Sequence, residues 1–236
     1  MIIQGVTLNG TRVLDGGVMP TGLVVYLDAD NAASYSGAGT TVTDLSGNGY
    51  THTLSNSNIY TNLSGVKCFN CSSVGQIVTA VSTSIQIPTD FTYISWARVI
   101  ASTAGYRTLF RATSPTGGHA IIVNAGTNLL GMWDNGTPTP TSFNSSGYNM
   151  AGLANTWAQW VTVGDASGQT FYVNGQQAGS SVPRSESGEY HYAWGNISPA
   201  VDQPWGYLAN MQLYNTKLTL EQIQQNYWGL RARFGV

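Results

Sequence analysis

Short segments of alternating apolar and polar residues, separated by turns rich in Gly, Asn, Ser and Thr, run along most of this chain. The clearest case is the pair of predicted strands 157–163 and 171–173, which a polar turn connects. The second strand is followed directly by Asn174-Gly175, a pair typical of tight hairpin turns. Further strands are predicted at 23–27, 91–99, 108–112, 119–123, 129–133 and 207–214. Many short strands with regular turns predict an all-β sandwich or jelly roll.

One helix is predicted near the C-terminus, over residues 219–233. Thr219 can cap it, and Gln222 at the third helical position completes a capping box. Arg231 and Arg233 lie in the last turn, where cations favour the helix dipole. An apolar stripe at helical spacing would face the protein; its members are Leu220, Ile223, Tyr227, Trp228 and Leu230.

The first twenty residues are a Gly-rich lead-in that ends at Pro20. We expect residues 1–20 to be an arm reaching toward a partner, with extra strands on the protein's own sheet as the alternative. Residues 21–236 then form a single domain, since antiparallel sandwiches of this length are common.

The composition is poor in charge. Hydrophobic residues make up 42% of the 236 residues, enough for a full core, but charged residues make up only 8%, against about 25% in an ordinary domain. The net charge of −2 provides no basic surface for nucleic acid, and no apolar run is long enough to insert in a membrane. An uncharged surface without a signal peptide predicts a protein made in the host cytoplasm and carried in a virion.

Five segments in order resemble the laminin-G-like branch of the concanavalin A-like lectin/glucanase superfamily. They are 22–28, the turn 44–49 with the sequence Asp-Leu-Ser-Gly-Asn-Gly, 91–98, 157–175 and 206–219. The resemblance implies a two-sheet antiparallel jelly roll. The uncharged surface and the closing Arg-x-Arg-Phe-Gly are similar to proteins of bacteriophages and large DNA viruses, which typically decorate capsids, tails or fibres.

Catalytic patterns are not found in the sequence. Glycoside hydrolysis needs two carboxylates at a set separation, and the glucanases of this superfamily carry them on one strand as Glu-x-Asp-x-x-Glu. No such run occurs here, and the nearest pair, Glu186 and Glu189, lies in a polar loop. The chain also lacks a Gly-x-Ser-x-Gly elbow and a phosphate-binding loop. We therefore expect a protein that is not an enzyme.

Sugar binding requires less: an aromatic ring for the apolar sugar face and polar groups for the hydroxyls. Three loop segments supply such sets. The candidate residues are Trp133, Asp134, Asn135, Tyr190, His191, Trp194 and Asp202. The alternative is that these aromatic side chains fill the sandwich or pack between subunits. Strand tryptophans should lie in the core; they are Trp96, Trp157 and Trp160.

Metal ligation has little support, and we expect no cofactor. Cys68 and Cys71 form one Cys-x-x-Cys without the second pair that structural zinc needs, so buried inert thiols are favoured over a local disulfide. Asp28 and Asp30 are weak calcium candidates, and solvated loop acids are the favoured interpretation. Calcium stays open as an alternative.

The leading hypothesis is a virion surface or decoration protein whose lectin-like domain contacts cell-surface glycans, present as a homo-oligomer or in multiple copies. The alternative is a purely structural capsid or tail component. It would bind other virion proteins through residues 1–20 and the face that carries Arg231 and Arg233. A third hypothesis is a carbohydrate module of a longer enzyme.

Overall fold

The computed structural model describes residues 7–8, 11–12, 16–101, 105–113, 117–135, 142–185, 188–196 and 203–236. Within these ranges the chain forms eighteen strands and one α-helix. The strands are β1 Thr7–Leu8, β2 Thr11–Arg12, β3 Leu23–Asp28, β4 Thr41–Thr43, β5 Thr51–Leu54, β6 Tyr60–Leu63, β7 Val66–Cys71, β8 Val78–Ala80, β9 Phe91–Val99, β10 Tyr106–Thr113, β11 His119–Asn124, β12 Leu129–Asp134, β13 Ser142–Asn149, β14 Trp157–Asp165, β15 Gly168–Val173, β16 Gln176–Gln177, β17 Tyr190–Trp194 and β18 Gly206–Tyr214. The helix, α1, is Leu220–Phe234.

Two antiparallel sheets of eight strands form a sandwich, which confirms the predicted all-β jelly roll. Sheet A has the order β16-β15-β14-β9-β18-β7-β6, with β3 also paired to β18. Sheet B has the order β13-β12-β11-β10-β17-β8-β5-β4. The predicted hairpin is β14 and β15, and Asn174-Gly175 forms the next turn, with both residues at positive φ. Among the described residues, no helix has the length and apolarity needed to cross a membrane.

The main core lies between the two sheets, where alternate residues of each strand meet. Trp160 is buried there, and its indole packs edge-on against Trp205 at 5.0 Å between ring centroids. Trp96 is also buried, but on the opposite face of sheet A, where α1 covers it. Its ring stacks on Phe234 at 4.3 Å and on Tyr227 at 5.8 Å. Trp157 is half-buried beside Phe234.

The helix begins and ends as its sequence indicates. Thr219 accepts from the backbone N–H of Gln222, and the Gln222 side chain accepts from the backbone N–H of Thr219. Gly235 ends the helix in a left-handed conformation, which glycine adopts without strain. The apolar stripe differs from the prediction, because Leu220 is 48% exposed and Trp228 is 64% exposed. The buried positions are Ile223, Asn226, Leu230 and Phe234.

A buried polar network joins α1 to sheet A. Arg233 donates two hydrogen bonds to the carboxylate of Asp28, at 2.6 and 2.8 Å, and Asn210 donates a third at 3.1 Å. Asn226 donates to Gln212 at 3.0 Å and accepts from Gln159 at 2.9 Å. Because polar groups removed from water need partners, these bonds hold the helix in one position on the sheet.

The boundary of the predicted N-terminal arm needs correction. Val18 and Met19 are fully buried under α1, and Asn226 donates to the carbonyl of Gly17. Residues 16–20 therefore belong to the domain, because they complete the packing beneath the helix. Upstream of them, β1 and β2 pair with each other in an antiparallel ladder.

Arg233 and Arg231 lie two residues apart on α1 but should differ sharply in their contribution to stability. Arg233→Met leaves the Asp28 carboxylate buried without its cation, and we expect a loss of about 2–3 kcal/mol in the free energy of unfolding. Arg231→Met removes a cation over the exposed Trp228 ring and a partly exposed hydrogen bond to the carbonyl of Val236, and it should cost less than about 1 kcal/mol. Urea unfolding of both variants measures the difference, and equal losses would contradict a structural role for the ion pair.

Candidate functional site

A cavity of about 290 Å³ opens on the face of sheet B that points away from the sandwich interior. Its apolar wall is formed by Tyr106, Ile122 and Trp133. Its polar groups come from Arg111, His119, Asn135 and Gln203. Aromatic rings beside hydrogen-bonding groups are the combination that sugar sites use.

Two β-bulges place the cavity residues on this face. In β10 the register shifts between Thr108 and Phe110, so Phe110 packs in the core while the buried Thr108 hydrogen-bonds to the cavity residues His119 and Gln203. In β11 it shifts between His119 and Ile122, and both of those residues line the cavity. A bulge re-aims side chains that strict alternation would send to the interior.

The ring of Trp133 is held in a fixed orientation. Its indole N–H donates to Oδ1 of Asn135 at 2.9 Å, and Nδ2 of Asn135 donates to the carbonyl of Gly117 at 3.1 Å. Tyr106 packs edge-on against the indole at 5.3 Å between centroids. Asn135 therefore positions the aromatic platform of the site.

The hydrogen bonds of His119 define which ring nitrogen carries the proton. The hydroxyl of Thr108 donates its one proton to Oε1 of Gln203 at 2.6 Å. It must therefore accept from Nδ1 of His119, which lies 2.8 Å away. Nε2 of His119 is then a hydrogen-bond acceptor at the cavity, and the Gln203 amide group keeps its N–H donors.

The charge of the described cavity wall comes from Arg111. Burial, followed by the nearby Arg111 cation, lowers the pKa of His119 to about 3, so that ring is neutral at physiological pH. Burial also lowers the pKa of Arg111, but a guanidinium stays protonated. No carboxylate is among the described lining residues. The cavity is therefore suited to a ligand that carries an anionic group.

The structure brings Trp133 and Asn135 together and places the other predicted sugar ligands that it describes elsewhere. Asp134 points to the opposite side of β12, is buried, and accepts hydrogen bonds from the backbone and hydroxyl of Ser185, each at 2.9 Å. Tyr190 is half-buried on β17 and does not line the cavity. Asp202 lies outside the described residues.

His191 and Trp194 are core residues, which corrects their assignment as sugar ligands. Both are 1% exposed. The His191 ring lies between Phe110, at 5.1 Å, and Trp194, at 3.9 Å. Its Nε2 is 3.2 Å from Nε2 of His52. A sugar at the surface cannot reach these rings.

The weak metal candidates have other partners. The Asp28 carboxylate accepts from Arg233 and Asn210, and Asp30 pairs with Lys67 at 2.9 Å. Among the described residues, no group of three or more His, Cys, Asp or Glu side chains is placed to hold a metal ion.

The two cysteines are free and buried, so the Cys-x-x-Cys segment contains no disulfide. Burial raises the pKa of the Cys68 thiol to about 12, and burial also raises the pKa of Cys71. Both groups are therefore protonated and unreactive near neutral pH.

Of the acidic pair considered for glycoside hydrolysis, Glu189 is the member that the structure describes. Glu189 is buried, forms an ion pair with Arg184 at 3.3 Å and accepts from the backbone N–H of Gly118 at 2.9 Å. Glu186 lies outside the described residues.

Sequence reasoning missed five cavity residues: Tyr106, Arg111, His119, Ile122 and Gln203. The sequence did offer one signal for the site: Arg111 and His119 each lie within a predicted strand, where charged and titratable side chains are uncommon. The bulges hid it, because strict alternation gives the wrong face for residues after the shift.

The fold and the motifs agree with a family assignment. The model of the concanavalin A-like lectin/glucanases superfamily matches residues 72–224. The chain belongs to this superfamily. No curated protein sequence gives a significant match.

Solved structures share the fold at low sequence identity. Trypanosoma rangeli sialidase in complex with sialic acid matches with a TM-score of 0.62 and 16% identity, over 98% of this chain and 36% of that chain. The binding domain of botulinum neurotoxin serotype D matches with a TM-score of 0.64 and 15% identity, over 89% of this chain and 52% of that chain. The superfamily domain thus spans about a third of the sialidase chain and about half of the toxin domain.

These neighbours contradict the prediction that the chain is not an enzyme. The same fold forms part of chains that are sialidases, so the fold gives no ground for excluding catalysis. At 15–16% identity the likeness shows the fold alone, and it establishes no enzymatic activity for this chain.

The buried pair His52 and His191 should make the protein sensitive to acid. Burial lowers the pKa of His52 to about 3 and that of His191 well below its usual value. Below about pH 6.5 these histidines bind protons in the unfolded chain but stay neutral in the folded chain. The free energy of unfolding therefore falls as the pH falls. At about pH 5 the loss from His52 is about 2 kcal/mol, and His191 adds to it in the same direction.

The double variant H52Q/H191Q separates this effect from other acid effects, because two amides can still hydrogen-bond to each other but do not titrate. Urea unfolding near neutral pH and near pH 5 should show a smaller loss of stability in the variant than in the wild type. The same loss in both proteins would exclude the histidine pair as its cause.

Proposed function

We propose that the chain binds glycans through the cavity on the outer face of sheet B, with an acidic substituent of the sugar against Arg111. The observation that carries this proposal is the fixed indole of Trp133 beside a guanidinium, a neutral imidazole and an amide. A platform that is already oriented loses little conformational freedom when a ligand binds.

Each cavity group has a part in this mode of binding. The rings of Trp133 and Tyr106 accept the apolar face of a pyranose. Nε2 of His119 accepts from a sugar hydroxyl, and the amide of Gln203 donates to another. These neutral contacts orient the sugar.

Arg111 adds selectivity for charge. Its planar guanidinium matches a carboxylate or a sulfate, and its partial burial strengthens the attraction relative to water. Since His119 stays neutral, Arg111 is the cation that an acidic sugar meets at the described wall.

The family supports sugar binding in general terms. The superfamily is named for lectins and glucanases, and a neurotoxin binding domain shares its fold. For the biological setting we propose a virion surface, on the basis of the 8% charged residues and the resemblance to viral decoration proteins. Many copies on one particle would convert weak single contacts into strong attachment.

Trp133→Ala should abolish the retention of the protein on an immobilised acidic glycan, because the platform is lost. The ring is half-buried, so the variant should still fold, as checked by circular dichroism. Leu220→Ala is the control, since it removes an exposed apolar side chain of α1 that lines neither this cavity nor any other described one. Unchanged retention of the Trp133 variant would remove this cavity from the mechanism.

Arg111→Gln should remove the preference for acidic sugars but keep the stacking contact. Sialyllactose and lactose are a suitable pair of probes, because they differ in one carboxylated sugar. We expect the wild type to bind sialyllactose at least about tenfold more tightly, and the variant to bind both alike. Calorimetry gives both affinities, and equal binding by the wild type would contradict the role of Arg111.

A further inference from the structure

A second concave site lies on the other side of the sandwich, where α1 packs against the turn between β15 and β16. This helix cleft has a volume of about 250 Å³. Its described lining consists of Asn174, Gly175, Gln176, Gln224, Tyr227 and Trp228. The wall is made of amides and two aromatic rings.

Trp228 is the most exposed of the large apolar side chains that the structure describes, at 64%. The guanidinium of Arg231 lies over its ring, 4.7 Å from the centroid. Tyr227 packs against it at an interplanar angle of 66°. The indole is therefore held by neighbours on the helix while much of its surface stays open to solvent.

The floor of the cleft is rigid. Asn174 and Gly175 both have positive φ, and Oδ1 of Asn174 accepts from the backbone of Gln159 at 2.9 Å. A side chain at Gly175 would come within 3.4 Å of Gln224 and 3.5 Å of Tyr227, which shows how closely the helix approaches the turn. The Tyr227 ring also stacks on the buried Trp96.

Several polar groups of the helix cleft are available to a ligand. Nε2 of Gln224 donates to the carbonyl of Gly175 at 3.2 Å, which leaves Oε1 as an acceptor. Among the described residues, the side-chain amide of Gln176 and the hydroxyl of Tyr227 have no hydrogen-bond partner. Amides and a phenol both donate and accept, as sugar hydroxyls do.

We propose that the helix cleft is a second binding site, selective for a neutral oligosaccharide that stacks on Trp228 and hydrogen-bonds to Gln176 and Gln224. No charged side chain is among the described lining residues, and the Arg231 guanidinium beside them already contacts the Trp228 ring, so a neutral ligand is favoured. The other large exposed apolar side chains are Val74, Val81 and Leu220, and none of them lines the cleft. An isolated indole among amides fits a sugar better than an apolar protein partner, which requires a contiguous patch.

The two sites face in opposite directions. The first cavity lies on the outer face of sheet B, whereas α1 covers the outer face of sheet A. A chain with both sites can hold an acidic glycan on one side and a neutral glycan on the other. The second site does not depend on the first.

The test is a titration of the protein with maltotetraose, cellotetraose and chitotriose, followed by ¹H–¹⁵N spectra of the indole and side-chain amide groups. At least one sugar at millimolar concentration should shift the signals of Trp228, Gln176 and Gln224 saturably. Trp228→Ala should weaken that binding at least about tenfold. Leu220→Ala should leave it unchanged, because Leu220 is an exposed apolar residue on the same helix that does not line the cleft.

Three results would overturn the proposal. They are the absence of any saturable shift at Trp228 with all three sugars, shifts at the remaining cleft signals that survive Trp228→Ala, and a wild-type dimer in sedimentation that Trp228→Ala converts to a monomer. The last result would identify the face as an interface between copies of the chain. Because Trp228 is exposed, the variant should keep the wild-type melting temperature.

Discussion

The ion pair between Asp28 and Arg233 fixes the C-terminal helix on sheet A, and much of the rest of the molecule depends on that position. The carboxylate lies at the end of β3 and the guanidinium in the last turn of α1, so the pair joins the two ends of the domain. Asn210, Gln212 and Asn226 continue the same network beneath the helix. Removing either charge would leave the other without its counter-charge in a largely buried site, and that penalty makes the docking specific.

The docked helix has consequences on both of its sides. On its inner side it buries Trp96 against Phe234 and Tyr227 and covers Val18 and Met19. On its outer side it cannot bury Trp228, because the buried stripe already runs through Ile223, Leu230 and Phe234. An exposed indole over a rigid amide-lined turn follows from the way the helix is anchored.

The cavity on the outer face of sheet B depends on β-bulges and not on the helix. The bulges in β10 and β11 place Arg111, His119 and Ile122 on the outer face, where they line the cavity, whereas a regular ladder would have sent some of them inward. The hydrogen bond from Trp133 to Asn135 and the contacts of Thr108 then hold the exposed groups in place. The acidic residues that looked functional, Asp28 and Asp134, serve the interior instead.

Local patterns in the sequence determined the class of fold, most strand positions and the helix. The alternation of apolar and polar residues, the Asn174-Gly175 turn and the capping box of Thr219 and Gln222 each involve residues close in sequence. They can therefore be recognised from the sequence alone. Trp133 and Asn135 were predicted for the same reason, since they are two residues apart at a strand end.

The rest of the site was decided by the tertiary structure. Which strands pair, in which register and with which bulges sets the face of every side chain, and Arg111, His119 and Gln203 meet only through pairings between distant segments.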